Sequence, residues 1–256
     1  MGGGGFTMGE RNPALDRHVL ALTGKPIPKV CFIPTASGDT REQALRFEER
    51  FGTWPCEPSV LSLFHLAESR LDPTRHLLAQ DAIYVGGGSM RNMLAVWRAH
   101  AVDRAIRAAW EQGAVLAGVS AGGMCWFEGG ISRSGGAPEP VSGLGLLAGS
   151  LSVHLDGESE RLLAYRRAVA SGKLPAGYAA DDGAALVFDG TRVEECVTSR
   201  PEARVVQVSP DGRGGVVERQ LPVRLLAAGE GHRRRRAETY AVSELRALRA
   251  GRNRWD

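Results

Sequence analysis

The segment AVLAGVSAGG, residues 114–123, is a short apolar run that leads into small residues around a single serine. Residues 114–117 predict a buried strand, and residues 118–122 have the Gly-x-Ser-x-Gly spacing of a sharp strand-to-helix turn. Such a turn holds Ser120 up as a nucleophile, although a glycine-rich turn without any chemistry has the same spacing. The rest of the chain must therefore supply a scaffold, a base and an oxyanion hole.

Apolar runs alternate with helical patterns before this segment. Strands are predicted at residues 30–34, 60–64 and 81–85. Helices are predicted at residues 41–51 and 102–112, and a further helix begins after an N-cap at Ser89. The second half has a predicted loop at 135–140, a helix at 158–170 and short strands at 183–188, 204–208 and 221–226. Strands that alternate with helices predict an α/β fold with a parallel, doubly wound sheet.

The composition excludes several classes of protein. The 256 residues, 43% hydrophobic and 24% charged, predict a globular chain, and a net charge of +3 is too balanced to indicate a nucleic-acid or membrane partner. No apolar run approaches the roughly 18 residues of a membrane span, and no secretory signal is visible at the N-terminus. The four cysteines lie far apart, which predicts neither a zinc site nor a disulfide framework. We therefore expect a cytoplasmic protein without a metal or a cofactor.

Two further segments need an interpretation. Gly2 to Gly5 could suggest a nucleotide loop, but no Gly-x-Gly-x-x-Gly follows a strand and no Gly-Lys-Ser/Thr follows the glycines. The basic run at residues 233–236 and the polar tail behind it predict a flexible segment near 230–256. The sequence leaves the oligomeric state open, a homodimer or a larger homo-oligomer included.

A second glycine-rich turn follows the predicted strand at 81–85. Ligands gather at the carboxyl ends of strands in open α/β sheets, and glycines let the backbone approach them closely. An N–H group from residues 86–88 and the N–H of Ala121 are thus candidates for an oxyanion hole. The alternatives are that these glycines pack a strand against a helix or cradle a phosphate.

The base and its acid are less well determined by the sequence. Among six histidines, His154 ends an apolar run before a helix, which is a strand-end position like that of Ser120. Asp181 and Asp182 lie between two apolar segments, and Asp156 and Glu158 are rival acids closer to the histidine. Ser89, Arg161 and Arg166 are candidate substrate ligands, the arginines for a carboxylate, and the alternative for both arginines is an exposed position on the helix at 158–170.

These blocks, in this order, resemble peptidase family S51, which contains the aspartyl dipeptidases (peptidase E) and the cyanophycinases. The motifs are Tyr84-Val85-Gly86-Gly87-Gly88-Ser89, then Gly118-Val119-Ser120-Ala121-Gly122, then His154, then Asp182-Gly183, and the likeness runs from the first residues to about Phe188. The resemblance implies a single domain with a three-layer α/β/α fold of the flavodoxin-like, class I glutamine amidotransferase type.

The resemblance also implies the roles of individual residues. Ser120 would be the nucleophile and His154 the base, with Gly88 and Ala121 in the oxyanion hole. The acid in this family is commonly a glutamate, whereas Asp182 occupies its place here with a carboxylate one methylene shorter. No metal or cofactor is implied.

The implied substrate is a short peptide cut near its N-terminus, with aspartate favoured at the first position. Val153 stands where the dipeptidases tend to have a proline, and the segment after His154 is short. Alternatives are a cyanophycinase-like hydrolase, a non-catalytic amidotransferase-like binding protein, and an α/β-hydrolase esterase with His232 as its base.

Overall fold

A four-stranded parallel sheet carries the serine turn. The computed structural model describes residues 1–227, and its first sheet has the strand order β2-β1-β3-β4. These strands are β1 (Lys29–Ile33), β2 (Glu57–Val60), β3 (Ala82–Val85) and β4 (Val115–Gly118). Because β1, β3 and β4 run parallel, the turns that follow them meet at one edge of the sheet.

Alternate residues of β1 and β3 pack against different helices. The helices are α1 (Ala14–Leu22), α2 (Arg41–Phe51), α3 (Leu66–Ser69), α4 (Pro73–Leu78), α5 (Met90–Ala99), α6 (Val102–Glu111), α7 (Ala121–Met124) and α8 (Ser159–Ala170). Ile33 and Ile83 belong to one apolar core with residues of α4, α5 and α6, whereas Phe32 and Tyr84 belong to another with residues of α1 and α2. This period of two, with helices on both faces, makes the three layers.

The second half forms two further sheets. A six-stranded sheet has the order β12-β11-β8-β7-β5-β6, from β5 (Phe127–Ser132), β6 (Glu139–Ser142), β7 (Leu147–Val153), β8 (Gly177–Ala180), β11 (Val205–Pro210) and β12 (Val216–Gln220). A three-stranded sheet contains β9 (Ala184–Asp189), β10 (Arg192–Thr198) and β13 (Val223–Leu225). Six of the ten strand pairings within residues 1–227 are parallel, which confirms the predicted α/β class with mostly parallel strands.

The first five residues, which we call the N-terminal segment, join the sheets through backbone hydrogen bonds. Met1 N donates to Gly118 O at 2.9 Å, and Ser120 N donates to Met1 O at 3.1 Å. Gly2 N donates to Ala184 O, and Gly183 N donates to Gly3 O, both at 3.0 Å. Gly2 and Gly3 are therefore tied by backbone hydrogen bonds to the residues around Asp182, and this segment is not a turn between a strand and a helix as in a nucleotide-binding loop.

Some sequence-based boundaries were wrong. The strand expected at residues 60–64 is β2 and lies earlier, because the backbone of residues 57–60 pairs with β1 while the apolar Leu61 and Leu63 follow it into the core. The loop expected at residues 135–140 already enters β6 at Glu139. Within residues 1–227, the helices are too short or too polar to span a bilayer. The tail near 230–256 lies outside the described residues.

Asp16 is fully buried under the N-terminal segment. Because a buried carboxyl group resists ionisation, we expect the free energy of unfolding to depend on pH. Its carboxylate accepts hydrogen bonds from Phe6 N at 3.0 Å and Tyr84 Oη at 3.2 Å, and Arg50 Nη1 lies 3.6 Å away. Burial raises the pKa of Asp16 to about 7 and outweighs the opposing charge of Arg50. Between about pH 4 and about pH 7 the folded chain therefore holds a proton that the unfolded chain has released.

We expect the stabilisation that this proton provides to be complete below about pH 4 and to be lost as the pH rises through about 7. Urea unfolding of the wild type should show a free energy of unfolding that falls across this window relative to that of Asp16→Asn. The amide of the variant keeps an acceptor for Phe6 N but does not ionise. Parallel pH profiles for the two proteins would show that Asp16 does not titrate there.

Candidate active site

Ser120 occupies a strained turn between β4 and α7. Its backbone has φ 54° and ψ −116°, a conformation that costs about 1–3 kcal/mol for a residue other than glycine. The turn is tight because a methyl group added at Gly118 would overlap the carbonyl oxygen of Gly122, and one added at Gly122 would overlap that of Val85. The sharp strand-to-helix turn predicted from the Gly-x-Ser-x-Gly spacing is thus present.

A continuous chain of hydrogen bonds links Ser120 to a histidine and a carboxylate. Ser120 Oγ lies 3.0 Å from His154 Nε2, and His154 Nδ1 lies 2.5 Å from Asp182 Oδ1. Because an ionised carboxylate only accepts, Nδ1 carries the proton toward Asp182, and Nε2 is left to accept from the Ser120 hydroxyl. This is the order of donors that a serine nucleophile and its base require.

Two neighbouring strands bring the histidine and the acid together. β7 ends at Val153 and β8 ends at Ala180, and these two residues are paired in a parallel register. The residues that follow both strands therefore leave the sheet at the same edge. His154 turns there with φ 57°, which directs its ring toward the end of β4 in the first sheet.

The four rival acids have different partners. Asp181 is buried and accepts from the backbone N of Arg204 at 2.8 Å and from its Nε at 3.1 Å. Asp156 accepts from the backbone N of Asp182 at 3.0 Å, and Glu158 pairs with Arg161. Asp182 is the one of the four whose carboxylate contacts His154.

Two backbone N–H groups beside Ser120 have no acceptor within residues 1–227. They belong to Gly88 and to Ala121, the first residue of α7. Gly88 has φ 137°, and an added methyl group would overlap the carbonyl oxygen of Ala36, so glycine is required for this backbone path. The free donors at these two positions suit an oxyanion hole.

A cavity of about 270 Å³ opens beside the serine. It is lined by Gly88, Ser89, Ser120, Met124, Ser132, Arg133, Ser134 and Arg161. Ser89 also caps α5, since its Oγ accepts from Asn92 N at 3.2 Å. Of the three candidate substrate ligands, Ser89 and Arg161 therefore lie at the cavity.

Arg166 does not lie there. Its guanidinium makes two hydrogen bonds to Glu218, at 2.6 and 2.8 Å, between α8 and β12. Arg161 belongs to the same helix but lies at the cavity, so the fold separates two arginines that the sequence analysis treated alike. The geometry does not favour Arg166 as a substrate ligand.

Arg133 lines the cavity and was missed by the sequence analysis. It follows β5, which was not predicted, and the signal that could have found it is the arginine directly after the apolar end of that strand. Its Nη1 lies 3.6 Å from Glu158 Oε2, and 45% of its side chain is exposed. Arg161 is nearly buried and binds the same carboxylate through Nε at 3.0 Å.

These charges leave the cavity wall positive. Burial alone would raise the pKa of Glu158, but the hydrogen bonds and charge of Arg161 lower it below its ordinary value. Glu158 is therefore ionised at neutral pH and balances one of the two guanidinium groups. One positive charge remains, and Arg133 is the more exposed of the two arginines.

Other nucleophiles and ligands are poorly placed. Cys125 lies below the turn with its thiol fully buried, and burial raises its pKa well above the ordinary value, so it does not form a thiolate. In the part of the chain that the structure describes, no group of three or more His, Cys, Asp or Glu side chains is arranged to hold a metal ion. His232 and the arginines at 233–236 lie outside that part.

Comparison with known proteins places these features in a family. The model of peptidase family S51 matches residues 1–196. "Uncharacterized peptidase YgaJ" of Bacillus subtilis (strain 168) is 42% identical over 226 residues, covering 88% of this chain and 97% of that protein. The crystal structure of a peptidase from an acI-B1 Actinobacterium matches with a TM-score of 0.64 at 17% identity, over 87% of this chain and 92% of that one, and shares its fold. A putative peptidase E from Listeria monocytogenes EGD-e gives a TM-score of 0.45 at 15% identity, over 80% and 93%.

Proposed function

This chain belongs to peptidase family S51 and is a peptidase, and we propose that it is a serine-type enzyme that hydrolyses short peptides near their N-terminus. The observation that carries the proposal is the chain of hydrogen bonds from Ser120 through His154 to Asp182. A non-catalytic binding protein has no need for these linked hydrogen bonds or for a serine in a strained backbone conformation. An esterase based on His232 is not required, because His154 already contacts the serine.

In the first half of the reaction, Ser120 Oγ attacks the carbonyl carbon of the scissile bond while His154 Nε2 takes the hydroxyl proton. The negative charge that develops on the carbonyl oxygen is stabilised by the N–H groups of Gly88 and Ala121. Breakage of the C–N bond transfers the proton from Nε2 to the leaving amine and leaves an ester on Ser120. Asp182 holds the imidazole and stabilises its charged form throughout.

In the second half, water attacks the ester carbon and gives its proton to Nε2 of His154. The C–O bond to Ser120 then breaks, the serine recovers its proton from Nε2, and the carboxylic acid product leaves. Each proton is therefore exchanged at one atom of His154.

The size and charge of the cavity support a small acidic substrate. At about 270 Å³ the cavity is at the lower limit of ordinary ligand sites, which suits a few residues of peptide. The excess positive charge from Arg133 and Arg161 favours a carboxylate near the scissile bond. Aspartate at the first position of a di- or tripeptide is the substrate that we propose.

Cyanophycin, a branched polymer of aspartate and arginine, is less well matched. Its arginines would need unpaired carboxylates, whereas Glu158 pairs with Arg161 and Asp156 pairs with Arg200 at 3.1 Å. A panel of peptides with varied first residue and length, together with cyanophycin, tests the proposal. We expect fastest cleavage of the aspartyl dipeptides; cyanophycin degradation without dipeptide cleavage, or equal rates on long unstructured proteins, would contradict it.

The role of the exposed cavity arginine is tested separately. We expect Arg133→Gln to raise KM for an aspartyl dipeptide roughly tenfold, because a hydrogen bond to a charged group is lost, with little change in kcat. Arg98→Gln, on α5 and outside the cavity lining, is the matched control. Steady-state kinetics decide the matter, and an unchanged KM in Arg133→Gln would remove this arginine from substrate binding.

A further inference from the structure

The N-terminal segment lies behind the nucleophile and the acid at once. Met1 O accepts from the backbone N of Ser120, and Gly3 O accepts from the backbone N of Gly183, the residue after Asp182. Gly3 and Asp182 also form a parallel β-bridge. Three consecutive residues, Met1 to Gly3, therefore link the turn after β4 to the residues around Asp182, which follow β8 in another sheet.

Gly3 is packed directly against the carboxylate of the acid. A methyl group added at Gly3 would overlap Asp182 Oδ1, and it would lie 2.7 Å from Asp182 Cγ and 2.9 Å from Met8 Sδ. Oδ1 is the atom that lies 2.5 Å from His154 Nδ1. Asp182 therefore has the space to point at the histidine because position 3 has no side chain.

The segment is held firmly at its other end. Glu10 Oε2 accepts from Gly5 N at 2.7 Å, and Glu10 Oε1 accepts from Ser199 Oγ at 2.6 Å. Phe6, the next residue, is buried in the aromatic core and donates its N–H to Asp16. Because both ends are anchored, Gly3 cannot move aside to relieve a clash with Asp182, and the carboxylate would have to move instead.

From these contacts we propose that Gly3 is a positioning residue: its missing side chain sets where the Asp182 carboxylate meets His154 Nδ1. The N-terminal segment thereby acts as a spacer that fixes the position of Asp182, which follows β8, relative to the Ser120 turn, which follows β4. The effect on catalysis rests on the serine-peptidase function proposed above, whereas the effect on the His154–Asp182 hydrogen bond does not.

Gly3→Ala is the direct test. We expect kcat for an aspartyl dipeptide to fall at least 100-fold, because a displacement of about 1 Å in a catalytic group costs that much. KM should change little, since Gly3 is not among the residues that line the cavity. Gly24→Ala is the control for an added methyl group without a clash: unlike Gly3, Gly24 has a positive φ of 67° that disfavours alanine, but the methyl group meets nothing within 4 Å. It should lower Tm without affecting kcat.

A spectroscopic measurement separates this inference from the proposed function. The proton on Nδ1, shared with the Asp182 carboxylate, should give a strongly deshielded resonance in the ¹H NMR spectrum of the whole wild-type chain. We expect the resonance to be lost or shifted in Gly3→Ala and retained in Gly24→Ala. If the wild type shows this pattern but cleaves no peptide, the proposed function fails and the positioning role stands.

A milder variant keeps the inference testable if Gly3→Ala does not fold. Glu10→Gln preserves size but replaces one carboxylate acceptor with an amide donor, which loosens the segment without adding a heavy atom. We expect a several-fold smaller kcat and a shifted Nδ1 proton. The decisive variant is Gly3→Ala if it folds, and Glu10→Gln if it does not. The inference is overturned if the wild type has a Ser120-dependent activity and the decisive variant leaves both kcat and the Nδ1 resonance unchanged.

Discussion

Ser120→Ala is expected to lower kcat by roughly 10⁴- to 10⁶-fold, the loss seen when a serine nucleophile is removed from a triad. The Oγ atom that forms the bond to the substrate is absent, and His154 has no hydroxyl to activate. Binding should persist, because the cavity wall and the backbone donors are intact. KM or a dissociation constant for the dipeptide should therefore change far less than kcat.

The variant should also remain folded. Removing the hydroxyl deletes one hydrogen bond, worth about 1 kcal/mol, and alanine suffers the same backbone strain as serine at φ 54°. Ser171→Ala, at the end of α8, is the matched control for loss of a hydroxyl elsewhere. Thermal unfolding and steady-state kinetics on both proteins check the prediction. Near wild-type activity in Ser120→Ala, in a preparation free of contaminating peptidase, would exclude this serine as the nucleophile.

Asp182→Asn is expected to lower kcat by about 10⁴-fold. The amide N–H₂ can face His154 Nδ1 only if that nitrogen gives up its proton, which then moves to Nε2. With Nε2 protonated, the histidine no longer accepts the proton of Ser120. The loss should arise in kcat, since the acid does not line the cavity.

The neighbouring carboxylate provides the control for this variant. Asp181→Asn should lower the free energy of unfolding, because it weakens the contact with Arg204, but should leave kcat nearly unchanged. Asp156→Asn should also keep most of its activity. If Asp181→Asn or Asp156→Asn proved inactive while Asp182→Asn remained active, the acid would be assigned to the wrong residue.

The parts of the site that the sequence predicts are those coded by local patterns. The serine turn follows from small residues after a short apolar run, and the proposed oxyanion donors follow from that turn and from a second glycine turn after another strand. Both signals arise within about ten residues of chain, so no knowledge of tertiary contacts is needed. The helices α2, α6 and α8 were predicted to within one or two residues for the same reason, as was the start of α5 behind Ser89.

Local patterns in the sequence do not distinguish Asp181 from Asp182, and the resemblance to the family alone implied Asp182. Two adjacent residues after a strand point to opposite sides, and the pairing of β8 with β7 and β11 decides which side faces the histidine. The identities of Asp181 and Asp182 carry no information about how distant strands pair. The same is true of Gly3, whose function as a spacer depends on contacts with residues more than a hundred positions away.

Labelling with a fluorophosphonate, followed by peptide mapping, tests the central claim most directly. The probe reacts only with a serine whose hydroxyl is activated by a base, so it reports the assembled site without any assumption about the substrate. We predict a single labelled residue, Ser120, in the folded wild type, and loss of labelling in His154→Ala. No labelled serine in the folded wild type, or a label on a different residue that persists in Ser120→Ala, would contradict a serine peptidase built on Ser120 and His154.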